Sequence, residues 1–210
     1  LGVNAGTSIN LASNNALAGA GTFAAKATNG NLLFKNANGY AINTVAADGS
    51  LFAQVDGVTA VAASTNVTLD TGAGTVTQSA GKTVRTDTGG AGATGGLELK
   101  GGAAYTLTDT GNEVATIAAS TGAGVLRYVD ATGLTVGTVN TVGITRVGDV
   151  LLKTQTGDLT LAQNVNAGTG NAVRLQAAGK VDQTGGTITA GTLGVNAGTS
   201  INLASNNALA

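Results

Sequence analysis

The sequence VDQTGGTITAGTLGVNAGTSINL, residues 181–203, decides the fold. Apolar and polar residues alternate in its short runs, which is the pattern of a half-buried β-strand. The runs also recur, because Val181 lies 20 residues before Ile201. The same separation joins three further pairs: Leu161 and Val181, Val173 and Leu193, and Leu175 and Val195. This recurrence predicts a solenoid in which equivalent residues of successive coils stack.

Similar short runs extend along the whole chain. They occupy residues 1–3, 9–11, 42–45, 67–69, 75–77, 97–99, 105–107, 134–136, 159–161, 173–175, 193–195 and 201–203. Turn sequences such as Asp48-Gly49 and Asp56-Gly57 separate them. The Ala-rich pieces at 24–25 and 118–119 are too short and too interrupted for a helix. We therefore predict an all-β chain folded as a right-handed parallel β-helix with coils of about 20 residues.

The predicted stacking partners away from residues 181–203 come from similar spacings. They are Val3 with Phe23, Leu11 with Leu32, Val55 with Val76, Val76 with Leu97, Leu97 with Ile117, Tyr105 with Tyr128, Leu152 with Val173, and Ile188 with Leu209. An alternative remains open, in which two immunoglobulin-like sandwiches of about 96 residues each fill residues 1–192. The aromatic content of 3% and the absence of Trp count against that alternative.

Composition excludes several classes of protein. Charged residues are 10% of the chain, the net charge is −1 and 42% of the residues are hydrophobic, so disorder is disfavoured. The chain has ten basic and eleven acidic residues, so we expect no nucleic-acid-binding surface. We expect no membrane span, because no apolar run approaches about 18 residues. Pro is absent, as suits coils that donate ladder hydrogen bonds on both sides.

The chain contains a long exact repeat. Residues 1–18 and residues 193–210 both read LGVNAGTSINLASNNALA. We interpret residues 1–192 as one tandem repeat unit of a β-helix and residues 193–210 as the start of the next identical unit. A unit of this length would hold about nine coils and extend the rod by ~43 Å.

Three motifs in the chain resemble those of filamentous haemagglutinin-type repeats. They are G-D-L-T-L at residues 157–161, V-x-Q-T-G-G-x-I-T-A at 181–190 and A-G-x-x-I-x-L at 197–203. The resemblance is strongest over residues 145–210 and 1–45 and looser between them. It implies a segment of a large bacterial adhesin secreted by the two-partner route, with a β-helical shaft.

Residues suited to catalysis or metal binding are few. His and Cys are absent, and we expect neither an enzyme, a cofactor nor a metal site. Asp48 and Asp56 are interpreted as solvated turn residues, and Lys82, Arg85 and Asp87 as a surface ion-pair patch. The glycine-rich stretch at 87–92 lacks the spaced aspartates of a calcium-binding repeat.

Two further groups have alternative interpretations. Glu98 and Lys100 follow the alternation of their strand, so we expect them on a solvated face. Tyr105 and Tyr128 are expected to point inward, and an exposed ledge on which sugars stack is the alternative.

The function predicted from the sequence is structural. We expect the shaft or fibre segment of a bacterial cell-surface or secreted adhesin, extending a distal functional tip, with neighbouring repeats of the same chain as partners. The alternative is a multivalent module whose outward Thr, Asn and Tyr side chains bind host or neighbouring-cell glycans or matrix proteins.

Overall fold

A computed structural model describes residues 1–18, 21–86, 92–102 and 104–210, and every regular element in these ranges is a β-strand. The first twelve strands are β1 Gly2–Ala5, β2 Ile9–Asn15, β3 Thr22–Ala27, β4 Leu32–Asn36, β5 Tyr40–Ile42, β6 Thr44–Val45, β7 Val55–Asp56, β8 Val58–Ala60, β9 Val67–Thr71, β10 Thr75–Gln78, β11 Val84–Thr86 and β12 Gly96–Gly101. The remaining twelve are β13 Ala104–Leu107, β14 Thr116–Ala123, β15 Leu126–Asp130, β16 Leu134–Val136, β17 Ile144–Val147, β18 Val150–Thr154, β19 Leu159–Leu161, β20 Val165–Ala177, β21 Val181–Gln183, β22 Ile188–Ala197, β23 Ile201–Asn202 and β24 Ala208–Leu209.

The strands stack in parallel as a β-solenoid of about nine turns. The predicted all-β class and parallel β-helix are therefore confirmed. Successive coils are separated by roughly 23 residues, slightly more than the predicted coil length. Four predicted pairs have the observed register, namely Leu97 with Ile117, Val173 with Leu193, Leu175 with Val195, and Val181 with Ile201.

Other predicted pairs are wrong by two residues. Leu161 pairs with Gln183 rather than Val181, and Tyr128 pairs with Leu107 rather than Tyr105. The same shift applies to Val3, which pairs with Ala25, to Leu11, which pairs with Phe34, to Leu152, which pairs with Leu175, and to Leu209, which pairs with Ala190. A two-residue shift leaves each side chain on its predicted face, because side chains alternate with a period of two.

The middle coils are longer than the sequence predicts. Leu32 pairs with Val67, 35 residues later. Part of the extra length is a hairpin in which β6 pairs antiparallel with β7, joining Val45 to Val55. Val76 consequently stacks between Tyr40 and Tyr105, and its predicted partners Val55 and Leu97 are wrong. Loops inserted between strands lengthen a coil without disturbing the alternation that the sequence displays.

One apolar ladder shows how the core is built. It runs through seven coils and consists of Ile9, Leu32, Val67, Leu97, Ile117, Val136 and Leu161. Each of these side chains is at most 4% exposed. Beside this ladder the rings of Phe23 and Phe34 stack at 3.7 Å, and Tyr40 meets both edge-on. Small and branched residues thus fill a narrow interior with one aromatic cluster near its first coils.

Buried amides join the coils where the backbone turns. Asn112 is completely buried, and its Oδ1 accepts a hydrogen bond from the Val84 amide at 2.8 Å. Its Nδ2 donates to the carbonyls of Leu107 and Val129, each at 3.2 Å. One side chain therefore satisfies backbone groups of three coils, which would otherwise be buried without partners.

Gly148 marks a position where successive coils approach closely. Its φ is +143°, and a Cβ placed there would overlap the carbonyl oxygen of Gly124. We expect Gly148→Ala to lower the free energy of unfolding by at least about 3 kcal/mol, because the coils must separate and the backbone is strained. Urea unfolding followed by circular dichroism measures this change.

Gly6 provides the matched control for that substitution. A Cβ added at Gly6 would have no atom within 4 Å, and the backbone there is not in the left-handed region. We expect Gly6→Ala to change the free energy of unfolding by no more than about 0.5 kcal/mol. Equal effects of the two substitutions would contradict the role of close coil contact at Gly148.

Candidate functional surfaces

The predicted surface ion-pair patch links coils to one another. Asp56 accepts hydrogen bonds from Lys82 Nζ at 2.8 Å, Thr44 Oγ1 at 2.5 Å and Gln54 Nε2 at 2.7 Å. These bonds, that of Lys82 foremost, hold the pKa of the Asp56 carboxyl well below its usual range. Arg85 pairs with Glu113 in the following coil. Lys82 and Arg85 therefore each form an ion pair, but with Asp56 and Glu113, which were not in the predicted patch. Asp87, the third residue of that patch, lies outside the described residues.

The two turn aspartates have separate environments. Asp48 is exposed in a tight turn, where its amide donates to the Phe52 carbonyl at 3.0 Å. The Asp56 carboxylate is exposed as well, and its oxygens accept the three hydrogen bonds described above. The interpretation of both as surface residues agrees with these positions.

The prediction of a solvated face at Glu98 is wrong. Leu97 and Leu99 point inward as expected, but Glu98 is only 2% exposed and Lys100 is half-buried. The loop 137–143 covers Glu98, whose carboxylate accepts bonds from Thr141 Oγ1 at 2.6 Å and from Asn140 Nδ2 at 3.0 Å. Because this loop follows about 40 residues later in the chain, alternation within the strand carries no sign of it.

Hydrogen bonds determine the protonation state of the Glu98 carboxyl, which the loop 137–143 covers. Burial raises its pKa, but the bonds from Thr141, Asn140 and Thr68 outweigh burial, and the pKa lies below the usual value. Thr68 Oγ1 donates from the neighbouring coil at 3.0 Å. The carboxylate therefore fastens the loop 137–143 to two coils of the outer wall.

The tyrosines contribute no outward surface. Tyr40, Tyr105 and Tyr128 are each at most 1% exposed, which confirms the inward orientation expected for the last two. Tyr105 donates to the Leu69 and Lys100 carbonyls, and Tyr128 donates to Asp130. Any glycan-binding surface on the described residues would therefore have to use other side chains.

An inward-pointing arginine is a feature that we did not predict from the sequence. Arg146 follows the phase of Ile144 on β17 and is 3% exposed. Its Nη2 donates to the Gly124 carbonyl, while Nε and Nη1 are buried without a hydrogen-bond partner. Burial lowers its pKa to about 10. The alternation Ile144-Thr145-Arg146 was a signal for this orientation in the sequence.

Replacing Arg146 tests the cost of this buried charge. We expect Arg146→Leu to raise the free energy of unfolding by about 1–3 kcal/mol, because an apolar side chain needs no partners in the core. Arg174→Leu is the control, since Arg174 is exposed and pairs with Asp149 at 2.9 Å; a change below about 1 kcal/mol is expected there. Urea denaturation of both variants gives the comparison, and destabilisation by Arg146→Leu would refute the prediction.

The outer face near Arg174 carries a short column of stacked residues. Thr77, Thr106, Arg127, Leu151 and Arg174 follow one another in register on five successive coils. The mixture of hydroxyl, charged and apolar side chains makes no uniform ladder.

Asp149 accepts hydrogen bonds from the Ala172 amide and from the Arg174 side chain, and these bonds lower the pKa of the Asp149 carboxyl.

Comparison with known proteins finds no match to a protein-family model, a curated protein or a solved structure. Across the described ranges, no three acidic side chains cluster in a way that suits a metal ion. The same ranges contain no helix of the length and apolar character needed to cross a membrane.

Proposed function

We propose that this protein is a segment of the rigid shaft of a bacterial cell-surface or secreted adhesin of the filamentous haemagglutinin type, holding a functional tip away from the cell. The observation that carries the proposal is the placement of the identical segments 1–18 and 193–210, which form the first and the last described coils of one continuous stack. Repetition of such a unit adds length to a rod without adding a new site.

Contacts between coils support a stiff rod. Four ion pairs each connect one coil to the next: Lys35 with Asp70, Asp56 with Lys82, Arg85 with Glu113, and Asp149 with Arg174. Backbone ladder hydrogen bonds and the buried apolar ladders run in the same direction. Bending the rod would stretch these bonds on one side, so a continuous solenoid resists bending along its length.

Electron microscopy of tandem arrays tests the shaft proposal. Eight coils, rather than the nine expected from the sequence, separate Ile9 from the equivalent Ile201. Proteins with one, two and three copies of residues 1–192 should therefore form rods of constant width that lengthen by ~38 Å per copy, because stacked strands are about 4.8 Å apart. Beads joined by flexible links would overturn the proposal. Specific binding of the single chain to immobilised glycans would instead favour a multivalent binding module.

A further inference from the structure

One corner of the solenoid holds a column of inward-pointing side chains on the strands β14, β17 and β20. Thr145 pairs with Ser120 in the preceding coil and with Asn166 in the following coil. The next position of each strand points inward, and these positions hold Thr121, Arg146 and Ala167. Each of the three residues is at most 8% exposed. Residues 121 and 146 are therefore neighbours in the interior, on adjacent coils.

Two of these side chains carry buried polar atoms without a partner. Only Nη2 of Arg146 donates a hydrogen bond, to the Gly124 carbonyl, while Nε and Nη1 have none. The Thr121 hydroxyl is also buried without a partner. Protein interiors satisfy nearly all such groups, because an unpaired buried donor is unfavourable. Two of them on adjacent strands indicate an acceptor that the chain itself does not supply.

The positive charge of Arg146 lacks a counter-ion as well. None of the ion pairs formed by the described residues includes Arg146. Asp149 is the carboxylate whose charge acts on Arg146. That carboxylate is partly exposed and already accepts from Arg174 and from the Ala172 amide, each at 2.9 Å. A buried charge without a partner is strongly unfavourable, so a negative charge inside the corner would stabilise the fold.

The residues beside this arginine restrict what the acceptor can be. Gly101 pairs with Thr121 on one side, and Ala167 follows on the other side, so no large side chain of this column lies next to the guanidinium. The acceptor must be small, and it needs no proton of its own, because a guanidinium only donates. A water molecule could accept a hydrogen bond but would leave the charge without compensation. A monovalent anion of the size of chloride meets all three conditions.

We propose that Arg146 and Thr121 form an internal binding site for one small monovalent anion, with chloride as its ligand. The ion accepts hydrogen bonds from one edge of the guanidinium and from the Thr121 hydroxyl, and its charge compensates that of the buried arginine. Two adjacent unpartnered side chains in the middle of the stack carry this inference, which is independent of the adhesin proposal.

The dependence of stability on chloride tests the site. Urea unfolding of the full chain is compared at low and high chloride, with gluconate, which is too large for the corner, keeping the ionic strength constant. A ligand that binds only the folded protein stabilises it by mass action, so a site with a Kd of ~10 mM raises the ratio of folded to unfolded protein about tenfold between ~1 mM and ~100 mM chloride. The advantage expected for Arg146→Leu should shrink by the same factor.

Two variants and a control locate the chloride effect. Arg146→Leu should abolish the chloride dependence, because the charge and its donors are gone. Thr121→Val replaces the hydroxyl by a methyl group and should weaken chloride binding about fivefold, from one lost hydrogen bond. Arg174→Leu is the control and should retain the full dependence, since Arg174 is exposed and belongs to a surface ion pair.

Crystals grown with bromide show the ion directly. Anomalous scattering should place a bromide within hydrogen-bond distance of the Arg146 guanidinium and the Thr121 hydroxyl. Stability of the unaltered chain that does not change with chloride, an equal chloride effect in Arg146→Leu, or bromide-grown crystals without an ion at Arg146 would each overturn the proposal.

Discussion

Raising the pH to about 12 is expected to lower the free energy of unfolding relative to neutral pH, by at most about 5 kcal/mol. Tyr40, Tyr105 and Tyr128 are buried, and burial raises the pKa of each phenol above its ordinary value of 10.0. Above that value the unfolded chain releases protons that the folded chain keeps. Stability is therefore complete below about pH 10 and falls as the pH rises, by about 1.4 kcal/mol per unit for each tyrosine.

Arg146 opposes this loss in part. Its pKa is about 10 in the folded protein, below that of an ordinary guanidinium, because the side chain is buried. Between these values the unfolded state binds the extra proton, so this group makes stability rise with pH. Arg146 offsets the contribution of about one of the three tyrosines. The net loss in the free energy of unfolding between pH 10 and pH 12 therefore equals that of about two tyrosines. Urea unfolding at several alkaline pH values, followed by circular dichroism and phenolate absorbance, measures it.

Tyr40→Phe is the control for the alkaline transition. The Tyr40 hydroxyl is buried without a hydrogen-bond partner, so its removal should cost no stability at neutral pH. The variant should nevertheless lose stability more slowly as the pH rises, because one ionising phenol is gone. An unchanged pH dependence would show that Tyr40 is not protected in the folded state.

Phe34→Ala is expected to lower the free energy of unfolding by about 3–5 kcal/mol. Phe34 is completely buried, its ring stacks on Phe23 at 3.7 Å, and Tyr40 lies edge-on at 5.0 Å. The substitution removes these contacts and leaves a cavity that the surrounding strands cannot fill. Urea denaturation gives the magnitude, and hydrogen exchange should place the loss in the first three coils, since a solenoid transmits stability between neighbours.

Leu51→Ala is the matched control for the aromatic cluster. Leu51 belongs to the loop between β6 and β7 and is 89% exposed. We expect a change within about 0.5 kcal/mol, because little apolar surface is buried there. A similar loss in both variants would show that the aromatic cluster is not a centre of stability.

The hydrophobic pattern determined which face of each strand is buried. Leu97, Leu99, Tyr105 and Tyr128 all point inward, as alternation predicts. This information is local, because neighbouring side chains on a strand must face opposite ways. The assignment of strand faces is also insensitive to small errors in register, since a register that is wrong by two residues still places every side chain on the correct face. The fold class follows from such local evidence repeated along the chain.

Tertiary structure alone decided the coil lengths and the covering of the outer wall. The hairpin of β6 and β7 lengthens one coil, and the loop 137–143 buries Glu98, although both stretches look like ordinary turns in the sequence. Contacts between residues distant in sequence cause these features, and alternation within one strand carries no record of them. The sequence determined which side chains of each strand face inward, and contacts between distant segments decided how long each coil is and which outward side chains are covered.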